Sequence, residues 1–227
     1  MTDPLVINVK EFQVNSPEQD PTGVFLLAHG AGFGMATPFM ETIAEGVINA
    51  GVRVVRFHFP YMEEMLRSGI KKPPNGGKIL RQCFSDVIKH TVEQEGVPCK
   101  NIIIGGKAMG ARVASMIADE HKVAGVICLG YPFHPPMKPK HARFQNLKTI
   151  QTPTLICQGE RDPKGRLEEI RQLMLSNSVQ FHWLADGDND FKPAKNSDRT
   201  LEENMHDAIQ ACNNFIMRIL KTNKSLR

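Results

Sequence analysis

Apolar, β-rich runs recur along the chain at Val24 to Ala28, Val52 to Phe57, Ile102 to Ile104, Val123 to Leu129, Thr154 to Cys157 and Val179 to Leu184. Stretches with a 3.6-residue hydrophobic period separate them. Strands alternating with helices predict an α/β architecture, a mostly parallel central sheet with helices on both faces. The helical stretches are Pro38 to Ala50, Lys78 to Gln94, Ala111 to Glu120, Gly165 to Leu175 and Leu201 to Leu220, the last long enough to pack across the sheet. A shorter edge strand is expected at Leu5 to Val9. No internal repeat or low-complexity linker breaks the pattern, so residues 1–227 read as a single domain.

Composition narrows the field. With 41% hydrophobic residues, 227 residues suffice for one well-buried core. The formal charge of +4 is spread over many loops without a basic stripe or an arginine-rich helix, which argues against nucleic acid. The five cysteines, Cys83, Cys99, Cys128, Cys157 and Cys212, form no C-x-x-C pair, and two lie within core strands, as suits a reducing, cytoplasmic compartment. The opening MTDPLVINVKEF lacks the charged and apolar regions of a leader, and no apolar run nears the roughly 18 residues of a membrane span, so neither secretion nor membrane insertion is expected. Asp186, Asp188 and Asp190 alternate with Gly187 and Asn189, but the glycine and distal glutamate of a calcium loop are missing. They read as an acidic turn, and no metal or cofactor is expected.

The candidate chemistry centres on NIIIGGKAMGARVASMIADE. Strand, tight turn and amphipathic helix are the context of a nucleophile elbow, here Gly106-Lys107-Ala108-Met109-Gly110. Ala108 holds the nucleophile position, and a methyl group can neither attack a carbonyl nor be activated by a base. After the strand Thr154 to Cys157, GERDP places Asp162 at the expected acid position, although Asp162 can also start a turn and cap the helix near Gly165. In QFHWLADGDNDFKP the histidine position falls on Asn189, which cannot take a proton at neutral pH. Oxyanion donors are expected from the backbone of Met109 and of Ala31 or Gly32 within HGAG. Lys107, Arg112 and Arg56 are candidate substrate contacts, with structural pairing as the alternative for each. His29 is expected to shape its turn and His182 to be a satisfied structural histidine, while His58, His134 and His141 can enter the crevice. Two loops rich in proline and lysine, SGIKKPPNGGK (68–78) and YPFHPPMKPKHAR (131–143), are the expected walls of a pocket at the carboxyl ends of the strands.

Taken together, LAHGAG, VRFHFPYM, KKPPN, GGK-x-MG-x-R, GYPFHPP, QGERDP and HWLADGDNDFKP resemble the α/β-hydrolase superfamily, and within it the small bacterial hydrolases related to the KANL/Tex30-like proteins. The resemblance covers nearly the whole chain and implies an α/β-hydrolase fold with no large lid domain. It further implies a serine hydrolase with serine at position 108 and histidine at 189; this chain departs at both, and carries Ala111 where a glycine is usual. Three readings follow. One is a serine esterase or acyl hydrolase lineage with an incomplete triad, impaired or inactive. Another is a non-catalytic protein that binds a small acyl or carboxylate-containing molecule in the retained oxyanion crevice. The third is an enzyme in which His58 or His134 polarises water.

Overall fold

The computed structural model describes residues 11–225, apart from 137 and 139. Its seven strands form one sheet in the order β1-β3-β2-β4-β5-β6-β7. They are β1 (Phe12–Asn15), β2 (Gly23–Ala28), β3 (Val52–Phe57), β4 (Ile102–Lys107), β5 (Gly125–Leu129), β6 (Thr154–Gly159) and β7 (Val179–Leu184). All pairings are parallel except that of β1, which runs antiparallel to β3 with Phe12 opposite Phe57. The expected edge strand at Leu5 to Val9 lies outside the described residues.

Among the described residues there are six α-helices: α1 (Pro38–Val47), α2 (Pro60–Ser68), α3 (Gly77–Glu93), α4 (Met109–His121), α5 (Leu167–Ile170) and, after β7, α6 (Leu201–Ser225). Because successive strand residues point to opposite faces, β2 sends Val24, Leu26 and Ala28 into one core and Phe25 and Leu27 into the other. The first core packs against Leu80, Cys83, Phe84 and Val87 of α3 and Val113, Ala114 and Ile117 of α4. The second packs against Met40, Ile43 and Val47 of α1 and Ala208, Cys212, Phe215 and Ile216 of α6. Burial on both faces is why β2 and β4 read as continuous apolar runs rather than as alternation.

Two elements depart from the sequence reading. The helix expected over Gly165 to Leu175 shrinks to α5, because Ser176 N–H donates to Leu147 O at 2.9 Å and draws the chain back towards β7. Conversely, α2 goes unpredicted although its signals are present: Pro60 opens it, and Gly69, at φ 68°, closes it with its N–H on Met65 O at 2.8 Å. Among the described residues no helix is long and apolar enough to cross a membrane, and the cysteines are free thiols.

Candidate functional site

The site forms where β4 runs into α4. Ala108 sits in the turn at φ 45° and ψ −103°, in a region that side chains rarely adopt. Two hydrogen bonds and two glycines impose that geometry. Ala108 N–H donates to Leu129 O at 3.0 Å and its own carbonyl accepts from Arg112 N–H at 3.1 Å. A Cβ on Gly106 would stand 2.4 Å from Ala28 O, and one on Gly110 would stand 2.5 Å from the same atom. Only glycine therefore lets β2, β4 and α4 approach this closely. Met109 is the first residue of α4, so its N–H has no intrahelical carbonyl to bond.

The loop after β2 is pinned beside the turn by His29. Its Nδ1 donates to Gly30 O at 2.7 Å and its Nε2 accepts from Phe59 N–H at 3.0 Å. That pattern needs the neutral ring, and burial lowers its pKa from 6.5 to about 4. Tyr61, from α2, donates to Ala31 O at 3.0 Å and its hydroxyl lies 3.2 Å from Gly30 O. The backbone of Ala31 and Gly32 is thereby held at the same cavity as Ala108 and Met109.

At the ends of β6 and β7 a closed polar network stands beside the turn. Asp162 is fully buried. Its Oδ1 accepts from Lys164 N–H at 2.8 Å, and its Oδ2 accepts from Gln158 Nε2 at 2.9 Å and Asn189 Nδ2 at 2.8 Å. Burial raises the Asp162 pKa above the ordinary value, opposed by these hydrogen bonds and by Lys107 and Lys164. Asn189 Nδ2 also donates to Gly130 O at 3.2 Å. Asn189 Oδ1 accepts from the ammonium groups of Lys107 and Lys164, each at 3.0 Å, and Lys107 also bonds the Asn189 carbonyl. Lys107 in turn pairs with Asp190 at 3.0 Å and lies over the rings of Phe39 and Phe191. Desolvation lowers the Lys107 pKa, while Asp190 counters the shift.

These groups surround a cavity of about 1010 Å³. Ala108, Met109, Ala31, Gly32, Lys107 and Arg112 line it, and Asn189 does too, with Asp162 bonded to its side chain from outside the lining. Both proline-rich loops supply walls, the first through Pro74, Asn75 and Gly77 and the second through Pro132, His134, Pro135, Pro136 and Arg143. Arg112 also braces that second loop, donating from Nε to Arg143 O at 3.3 Å.

The expectation for Arg56 is corrected. It does not line the cavity; its guanidinium is buried and donates to Met35 O at 2.8 Å and Asn15 Oδ1 at 3.1 Å. His58 and His141 also stay out of the lining. His134 enters it, but its ring nitrogens face Pro135 O at 2.9 Å and Glu169 Oε2 at 3.2 Å. His182 lies in a separate groove between β7 and α6, and its buried Nε2 has no hydrogen-bond partner among the described residues, unlike the satisfied histidine expected. Sequence reasoning missed Lys164, two positions past Asp162, and Arg143, the last residue of the second loop. Among the described residues no cluster of three or more metal-ligating side chains occurs.

A family model described as an alpha/beta hydrolase domain matches residues 21–217. A curated relative, acyl-protein thioesterase 1 of Debaryomyces hansenii, is 28% identical over 110 residues, covering 44% of this chain and 46% of that protein. The chain thus spans about half the length of that relative. Among solved structures, an α/β serine hydrolase without lid from Xanthomonas campestris superposes with a TM-score of 0.67 at 18% identity, covering 91% of this chain and 88% of that one. Dienelactone hydrolase from Anabaena variabilis gives 0.67 at 20% identity, covering 91% and 90%. A serine hydrolase homologue from Coxiella burnetii gives 0.66 at 18%, covering 91% and 89%.

Proposed function

The chain belongs to the alpha/beta hydrolase family, and from that premise we propose that it is a member that binds a small acyl or carboxylate-containing molecule without hydrolysing it. The observation that carries the reading is the state of Asn189. Its amide NH₂ donates to Asp162 as an imidazole N–H would, while its oxygen is taken up by two lysines. The Asn189 amide has no lone pair of usable basicity, and Ala108 brings no nucleophile to the turn.

In a triad that works as a unit, losing either serine or histidine costs roughly a millionfold in turnover. What survives, about 10³ to 10⁴ over water, comes from binding and from oxyanion donors. Backbone donors are indifferent to the side chain at position 108. Met109 N–H at the head of α4, with the backbone of Ala31 and Gly32 held by His29 and Tyr61, fits a carbonyl or carboxylate oxygen. Water activation by His134 draws no support, since both of its nitrogens are engaged. Free thiols at all five cysteines suit a cytoplasmic setting.

The deciding experiment measures hydrolysis of short p-nitrophenyl esters by the protein and by its Ala108→Ser, Asn189→His double variant, with calorimetric titration of octanoate into the unaltered protein. The expected result is turnover by the variant alone and carboxylate binding by the parent. Turnover by the parent that survives purification, or no carboxylate binding, overturns the reading.

A further inference from the structure

The charges around the cavity do not balance. Among the described residues Lys107, Arg112, Arg143 and Lys164 line it, against the carboxylate of Asp190, which pairs with Lys107, and that of Asp162 behind Asn189, which acts on both lysines. Among the described residues the Lys164 ammonium bonds the neutral Asn189 oxygen and has no carboxylate within salt-bridge reach. Arg112 uses Nε on the Arg143 carbonyl, and no carboxylate lies within salt-bridge reach of either guanidinium among the described residues. The Arg143 side chain itself has no hydrogen-bond or ionic partner among them. Two sets of cations result: the lysine pair at Asn189, and Arg112 with Arg143, joined through the Arg143 carbonyl where α4 meets the loop after β5.

We propose that the cavity takes a ligand with two anionic groups joined by an apolar stretch, the second anion held by Arg112 and Arg143. This rests on the binding reading above and adds a second subsite to it. Four considerations support it. A guanidinium offers a planar fork of donors that matches a carboxylate or phosphate, and it stays charged at any working pH. Cations without a paired carboxylate that line a cleft focus the field there and attract anions more strongly than the same charges spread over a flat surface. Phe33, Phe39, Leu80 and Met109 supply apolar wall for the intervening chain. Finally, the loop carrying Arg143 has exposed Lys138, Lys140 and His141 and no acidic residue, so the approach is cationic as well.

Titration calorimetry at low salt tests this with octanoate, the dicarboxylates from succinate to suberate, the phosphate ester of hydroxyoctanoate, and neutral methyl octanoate. A doubly anionic probe is expected to bind about tenfold more tightly than octanoate, the gain typical of one charged hydrogen-bonding contact. Whether a dicarboxylate or the phosphate ester binds more tightly names the second anion. In Arg143→Gln, on an exposed loop, the preference should fall to about threefold or less, and Arg112→Gln, which also removes the brace on the Arg143 carbonyl, should lower it likewise. Equal affinity for octanoate and every doubly anionic probe overturns the two-anion proposal and leaves the binding reading standing. A preference that survives both substitutions overturns the placement of the subsite. Failure of every carboxylate to bind removes the binding reading itself, and this inference with it.

Discussion

The turn between β4 and α4 and the corner built from the loops after β6 and β7 meet at one cavity, yet they hold their shape by different means. At the turn the constraint is backbone against backbone: glycines at 106 and 110 let Ala28 O approach, and Ala108 is bent into place whatever its side chain. At the corner the constraint is side chain against side chain, with Asn189 fixed by Asp162, Lys107 and Lys164. A nucleophile can therefore be deleted without loosening the turn. The histidine position behaves differently, because whatever stands there has to satisfy Asp162, which is buried and unfavourably desolvated. Asparagine does so through its amide, which carries no basic nitrogen.

The largest expected effect sharpens this contrast. If both regions keep their register, Ala108→Ser with Asn189→His should raise ester turnover by roughly a thousandfold, and each single change far less, because the groups act as a unit. Gly106→Ala should break the turn itself. Its Cβ meets backbone atoms that cannot swing aside, so a loss of about 3 kcal/mol in urea unfolding is expected.

Acid comes next. His29 is neutral in the fold with a pKa near 4 against 6.5 unfolded, so the unfolded chain binds more protons between those values. Its contribution is fully present above about pH 6.5 and is lost as pH falls towards 4, costing about 2 kcal/mol between pH 7 and pH 5. Unfolding of the parent and of His29→Gln across this range checks it; a parallel pH dependence in the two proteins would show that His29 is not the titrating group. The smallest effect is at the corner. Lys107→Met should cost about 1 kcal/mol, since Asp190, 73% exposed, returns to water without its partner. The same variant should release Asn189, seen as sharpened amide exchange in the loop after β7.

Legibility in the sequence followed the same division. Six of the seven strands, and the turn at Ala108, were readable because apolar runs and glycine spacing are local facts of the chain. Asp162 and Asn189 were placed by chain order. The pairing of Lys107 with Asn189 joins residues 82 positions apart and has no local signature. For the same reason the local sequence does not separate a substrate contact from structural pairing at Arg56, whose guanidinium bonds Met35 O and Asn15 of the edge strand β1. Helix α5 fell short of its pattern because Leu173 and Leu175 pack on the first core as a turn rather than as a helix. Lys164 and Arg143 sit in ordinary-looking loops, and their importance comes from what the fold places near them.

The glycine cradle also bears on ancestry. Abandoning the turn would require β2, β4 and α4 to separate together, each intermediate losing core packing. Exchanging one or two side chains at its rim requires no backbone movement at all. A lineage carrying this cradle can gain or lose hydrolysis over a very short mutational path while its fold stays fixed, so close descendants of one ancestor can differ in whether they cleave what they bind.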